Sequence, residues 1–381
     1  MGKESVVIYF SIIVLLVYLA KRASLVTIKK RQTNNKEPFF TAPTFLLISI
    51  FTIFCAIRYN VGTDYPRYLS AYETGRAFTE RYEPLYRALS YLLYKFNANV
   101  AVFFGLWALL QIVLYLYAFK NQKKLYPYLV YFLFTNGLFL SWMNGIRQDL
   151  SSCMVLPALI FIVERRPKPY MITCVLASLF HVSALILLIL YPLLGYRQWF
   201  KNNTIPIILV VIALATNYSL ANNIRQLDAA IGAYAILFDR DAVDYYMLME
   251  SMEEKSGMGL GMLVRLLFYI SIILYSRELK SFYKNSFFEQ IIYPLFILGV
   301  FFKYAIPVGA VIISRPFRFF SFFTTIALVY FVYYLMNSKS NMGKLYGVAI
   351  IVISLVLFLA PMINASPDDS FILYQTIFDN L

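Results

Sequence analysis

The stretch KPYMITCVLASLFHVSALILLILYPLLG, residues 168–195, is too long for one comfortable membrane crossing and is interrupted at Phe180-His181. Its reading sets the topology of everything that follows. As one crossing, it leaves the acidic segment 228–254 cytoplasmic and puts Arg277, Lys280 and Lys284 outside. As two short segments meeting near His181, it returns every later basic loop to the side of the earlier ones, as the positive-inside rule requires. The split gives 12 segments. The remaining apolar runs lie at about 5–20, 39–57, 99–119, 125–142, 149–163, 204–220, 258–276, 287–308, 317–336 and 345–363. Half-helices like those flanking His181 are tolerated only when packed in protein or lining a cavity.

Composition agrees with many crossings. Of the 381 residues, 60% are hydrophobic and only 14% charged, against roughly 45–50% and about 25% in ordinary globular domains. The expected fold is an all-α polytopic membrane protein, a single membrane domain over 1–381, with about 11–12 transmembrane segments. Two long extracytoplasmic loops, about 58–98 and 221–257, carry amphipathic helices. The cytoplasmic loops hold 19 basic residues against four acidic ones, so the net charge of +14 reads as membrane orientation and not as nucleic-acid binding. This sorting places both termini outside, and the segment 5–20 reads as a retained helix. One histidine in the whole chain excludes a site needing several imidazoles. Cys55, Cys153 and Cys174 lie in apolar runs without metal-ligand spacing. No metal site is expected. Asp239-Arg240-Asp241 reads as part of an acidic loop, since two carboxylates from one turn make a poor oxygen cage.

The residues able to do chemistry come from distant stretches. The first loop opens with RYNVGTDYPRY, residues 58–68, in which Gly62 permits a tight turn and Asp64 can cap a helix start. Glu83-Pro84 begins a helix with Leu85, Leu89, Leu92, Leu93 and Phe96 on one face, an amphipathic helix for the outer membrane surface. Arg147 follows a membrane segment and has the plain alternative of an end-of-helix arginine paired with Asp149. His181 sits at the junction of the two short segments, with a satisfied packing histidine as its plain alternative. Arg315 and Arg318 open a later helix, and Arg265 and Lys303 lie inside apolar segments. Charges within membrane segments cost at least about 2.5–3.5 kcal/mol and face polar cavities. The expectation is therefore an outward-open cationic cavity. Arginine suits it because the planar guanidinium fork binds phosphate oxygens in bidentate fashion. A lipid-linked phosphate or pyrophosphate is the natural anion at membrane depth.

Five stretches together resemble the EpsG-type branch of the Wzy-like polysaccharide polymerases of bacterial inner membranes. They are 58–68 with its Val-Gly-Thr-Asp-Tyr core at 61–65, Glu83-Pro84-Leu85-Tyr86, Arg147-Gln148, FHVSALI at 180–186, and RPFRFF at 315–320. The resemblance implies a GT-C-like glycosyltransferase architecture with its site facing the periplasm or cell exterior. It further implies exopolysaccharide or O-antigen synthesis, in which a growing undecaprenyl-pyrophosphate-linked glycan is transferred to the non-reducing-end hydroxyl of a lipid-linked repeat unit. The bilayer and those lipid-linked oligosaccharides are the partners, a chain-length regulator is a further candidate, and no cofactor is needed. Cations must await the charge that grows on the leaving pyrophosphate. Arg58, Arg147, Arg265, Lys303, Arg315 and Arg318 are the candidates, with Tyr65 and Tyr68 beside them for the glycan. The acceptor hydroxyl needs a base, for which Asp64, Glu83 and His181 are the candidates. Histidine, with an ordinary pKa of about 6.5, is best matched to proton transfer at neutral pH. His181 is thus expected as the base or acceptor-orienting group, with Asp64 and Glu83 positioning. The rivals are an O-antigen ligase or other lipid-linked-sugar glycosyltransferase, and, from another class, a lipid-linked oligosaccharide flippase. Clustering of the polar residues on one face favours the enzyme.

Overall fold

At Leu179 the chain leaves its helix and begins another course three residues later. A computed structural model describes residues 2–32, 38–79, 82–194, 199–200, 202–222, 258–283, 287–307, 314–365 and 372–378. Among them every regular element is helical, and the sole β-pairing is an isolated bridge between Arg58 and Thr376. The second loop expected to be extracytoplasmic, including Asp239 and Asp241, lies outside the described residues.

In chain order the principal helices begin with α1 (Gly2–Gln32), α2 (Ala42–Ala56), α3 (Tyr65–Glu73), α4 (Pro84–Lys95) and α5 (Val100–Ala118). They continue with α6 (Tyr126–Thr135), α7 (Leu138–Asn144), α8 (Ile146–Ala158), α9 (Ile160–Val163), α10 (Pro167–Ser178), α11 (Leu190–Leu194) and α12 (Thr204–Asn222). Then follow α13 (Leu260–Leu274), α14 (Ser276–Tyr283), α15 (Tyr293–Ala305), α16 (Arg318–Met336) and α17 (Asn341–Ile363). Six described helices are long and apolar enough to cross a membrane, or seven if the pair α13–α14, bent by 62°, is one broken span. Shorter apolar helices accompany them, so the chain is an all-α, multi-pass membrane protein. It divides into two compact units, residues 1–195 with 332–381, and 196–331.

The break at 179–181 falls where the loop charges required it. Helix α10 ends at Ser178, His181 is extended (φ −158°, ψ 119°), and a 3-10 stretch Val182–Ile189 leads into α11. Backbone polar groups freed by a break at membrane depth need partners. The Leu85 N–H of α4 donates to the Leu179 carbonyl at 3.0 Å, and the His181 ring accepts from the Ser183 N–H at 3.3 Å. The loop 58–98 thus supplies part of what the broken run lacks.

Several boundaries differ from expectation. The run 125–142 is not one helix. It stops at Asn136 and restarts after Gly137, whose φ of +82° suits glycine and ends a helix. The next helix starts at Ile146, directly after Gly145, so α7 and α8 meet at a single-residue corner. Helix α1 continues past Lys21-Arg22 to Gln32. The stripe expected on α4 divides: Leu85, Leu89 and Leu93 pack against a buried cluster that includes Tyr65, Tyr68, Phe104, Trp107 and Phe180, while Leu92 and Phe96 are exposed. The inward direction of α4 centres on Tyr86 and Ser90, both fully buried, which turns the Leu92 and Phe96 side of the stripe away from the protein.

Candidate functional site

In the first unit, the stretch 58–64 is pinned to the α7–α8 corner. Gly62 has φ +100°, and a Cβ there would sit 3.0 Å from the Met143 carbonyl oxygen, so glycine is required twice over. The Asn144 side-chain oxygen accepts from the Asp64 N–H at 2.8 Å and from the Thr63 hydroxyl at 2.9 Å. Asp64 occupies the start of α3, yet its side chain makes no capping bond. Among the described residues its carboxylate has no hydrogen-bond partner, and it lies electrostatically close to the Tyr68 hydroxyl.

Arg147 projects from the first turn of α8, but not toward Asp149. Positions i and i+2 point to different sides of a helix. Asp149 accepts instead from the Ser141 hydroxyl at 3.0 Å. Arg147 Nη1 forms an ion pair with Glu83 Oε2, and both side chains are about four-fifths buried (20% and 18% exposed). The guanidinium lies 4.7 Å from the Tyr82 ring centre and 5.4 Å from that of Tyr86, and it is hydrogen-bonded with Tyr68. Its Nε has no partner among the described residues. Burial pushes the Tyr68 and Tyr86 hydroxyls up, with Arg147 pulling the other way, so both stay protonated at neutral pH.

The second Glu83 oxygen accepts from the Val182 N–H at 3.4 Å, joining the Arg147 pair to the broken span. Beyond it a short relay runs inward. Gln148 Nε2 reaches the Ser183 hydroxyl at 3.4 Å, and that hydroxyl lies 2.7 Å from His181 Nδ1. Because the Ser183 N–H also donates to Nδ1, a neutral His181 carries its proton on Nε2. In this arrangement the imidazole is a donor at Nε2.

Arg58 stands apart from this group. It is 2% exposed, packed 4.8 Å from the Phe104 ring centre and 5.7 Å from that of Tyr65, and in contact with the Met143 sulfur. Tyr65 itself stacks on Phe104 and is 1% exposed. The C-terminal strand-like segment closes over this arginine through the bridge to Thr376 and the Tyr59 N–H bond to the Gln375 carbonyl.

The second unit holds the other four cations. Lys303 donates to the Tyr269 hydroxyl at 3.3 Å, and Arg265 lies near Tyr304, whose ring meets that of Tyr269 edge-on. Helices α15 and α16 cross so closely at Gly299 that a Cβ would collide with the Phe320 carbonyl oxygen. Stacking of Phe302 on Phe317, centroids 4.0 Å apart, then holds the turn bearing Arg315 and Arg318 at the Lys303 end of α15.

Asn144, Tyr82, Gln148 and Ser183 also belong to the site, although none of them stands out as a site residue in the sequence. Tyr82 and Gln148 flank a candidate directly, Ser183 follows His181 by two positions and Asn144 precedes Arg147 by three, so closeness to the quoted motifs was the available signal. Among the described residues no cluster of His, Cys, Asp or Glu is placed to hold a metal ion.

A helical, multi-pass membrane protein with a partly buried Arg–Glu pair, an adjacent unengaged carboxylate and a histidine at a broken span is suited to anion binding and proton transfer. The family model described as the EpsG family matches residues 42–376, and the chain belongs to that family. Neither a curated protein nor a solved structure matches it.

Proposed function

We propose that the protein is a polysaccharide polymerase of the glycosyltransferase type, acting at the outer face of the bacterial inner membrane on undecaprenyl-pyrophosphate-linked glycans. The supporting observation is that four separate stretches characteristic of the chain (58–68, 83–86, 147–148 and 180–186) meet around the Glu83–Arg147 pair. In the proposed reaction, the bond from the donor's anomeric carbon to the pyrophosphate oxygen breaks. A bond from that carbon to the acceptor hydroxyl oxygen forms, and the hydroxyl proton passes to a base. Arg147, with its unengaged Nε, stabilises the charge on the departing pyrophosphate. Glu83 uses both oxygens to hold Arg147 and the Val182 amide, which suits positioning. Asp64, unengaged beside Tyr68, is the proposed base, and His181 orients the acceptor through its Nε2 proton. Arg265, Lys303, Arg315 and Arg318 are proposed to hold further glycan or pyrophosphate charge, while Arg58 fixes the 58–64 loop from within. A chain-length regulator is a proposed partner.

The test is deletion in the native host, followed by analysis of lipid-linked glycans. Single repeat units that persist at the outer face without polymer support the polymerase. Polymer retained on the carrier but missing from its final acceptor would indicate a ligase, and loss of all outward-facing units a flippase.

A further inference from the structure

Tyr82, which packs against Arg147, also lines a pocket of about 140 Å³ together with Arg67, Ser70, Ala71, Arg76 and Thr79. The local chain builds it deliberately. Arg67, Ser70 and Ala71 share one face of α3, being three and four residues apart. Gly75, with φ +74°, reverses the chain, and a 3-10 turn Arg76–Phe78 brings Arg76 back opposite that face. The Thr79 hydroxyl donates to the Arg76 carbonyl at 2.8 Å, and the Tyr82 N–H donates to the Thr79 carbonyl at 3.3 Å, closing the wall. Arg76 Nε donates to the Thr74 hydroxyl at 3.2 Å, which orients its guanidinium. Among the described residues neither Arg67 nor Arg76 has a carboxylate partner, and none of those lining the pocket is acidic.

We infer that this pocket binds one acidic sugar residue of the glycan. The chemistry matches part by part. Two guanidinium forks suit a carboxylate, Ser70 and Thr79 offer hydroxyls to ring hydroxyls, and the Tyr82 ring offers a flat apolar face. The volume is well below the roughly 300–1,000 Å³ of sites for drug-sized ligands, so it fits one sugar ring and not a chain segment. Tyr82 is shared by this pocket and by the packing around the Arg147 guanidinium, so a sugar held here would touch a residue that also touches the proposed leaving-group site. The inference rests on the polymerase reading and adds a specificity for acidic repeat units.

The experiment uses the purified full-length protein and lipid-linked repeat units extracted from the host, native and with their carboxylates reduced to alcohols. Equilibrium binding is measured separately from polymer formation. Arg67→Gln/Arg76→Gln should weaken binding of the native units at least tenfold, the size expected for losing hydrogen bonds to a charged group. Carboxylate reduction should weaken wild-type binding equally and leave the double variant unaffected. Repeat units that carry no acidic sugar, or wild-type binding that ignores the reduction, overturn the inference. A defect in the double variant that survives reduction would mean that the pocket holds the pyrophosphate, which also overturns it. Absence of polymer formation by the wild type, with this binding pattern intact, would instead remove the polymerase reading and leave an acidic-sugar site.

Discussion

Glu83 and Arg147, 64 positions apart in sequence, form an ion pair that ties the loop 58–98 to the start of α8. The second Glu83 oxygen continues the connection to Val182 at the broken span. Two roles are joined in this contact. Arg147→Ala should lower polymerisation by about 10²–10³, as removal of one charge-stabilising donor does elsewhere. Arg147→Lys should rescue poorly, because an ammonium cannot serve Glu83, Tyr68 and a phosphate oxygen with one planar fork. Glu83→Gln should lower activity less than Arg147→Ala, and its thermal midpoint should fall as the Val182 and Arg147 contacts weaken. Turnover and melting of the purified variants read both effects. Full activity of Arg147→Ala at equal protein level removes the site.

The second prediction separates the base from the orienting group. Asp64→Asn keeps the backbone bond to Asn144 but cannot accept a proton, and should lower turnover by about 10²–10⁴ with substrate binding retained. His181→Gln keeps a side-chain donor and should lower turnover by only about tenfold. Ser183→Ala should loosen the imidazole and raise KM more than it lowers kcat, since the hydroxyl acts only through His181. The reverse ranking, with His181→Gln dead and Asp64→Asn active, would return the base to His181.

How far these features were legible depends on the range of the interaction that fixes them. The break at His181 was legible because charge sorting in the loops constrains the number of crossings, a property of the chain's local composition. Asn136-Gly137 carries an equally plain helix-stop signal, yet apolar residues on both sides mask it in a hydropathy reading. The partner of Arg147 was not legible. Asp149 is two residues away and faces elsewhere, while Glu83 arrives only when the loop folds onto α8. Arg58 reads identically to Arg147 in the sequence, as a charge near the end of an apolar run. Burial under Phe104 and the C-terminal segment, a contact spanning most of the chain, gives it a different place.

A pair of glycines tests the packing of the 58–64 loop. Gly62 and Gly137 both have positive φ, but a Cβ at Gly62 meets Met143 backbone at 3.0 Å whereas nothing lies within 4 Å of one at Gly137. Gly137→Ala should therefore carry only the conformational cost, about 1 kcal/mol. Gly62→Ala should add displacement of the loop from the α7–α8 corner, lowering the melting midpoint further and reducing activity through Asp64. Equal effects of the two substitutions would mean that the loop does not depend on that contact.

Orientation is the last prediction, and cysteine labelling reads it directly. Loop charges place Thr74 outside and Lys339 in the cytoplasm. Both residues are exposed, and the three native cysteines are buried, so an introduced thiol dominates labelling. Thr74→Cys should react with a membrane-impermeant maleimide in intact cells, or after outer-membrane permeabilisation in a two-membrane host. Lys339→Cys should react only once the inner membrane is opened. Thr74 lies one residue before the Gly75 turn that forms the proposed sugar pocket, and its own hydroxyl accepts from Arg76. Prior occupancy by acidic repeat units should therefore slow labelling at Thr74 and leave Lys339 unchanged. Protection of Thr74 until the inner membrane is broken would invert the topology and put the Glu83–Arg147 site on the face where no lipid-linked polymer is assembled.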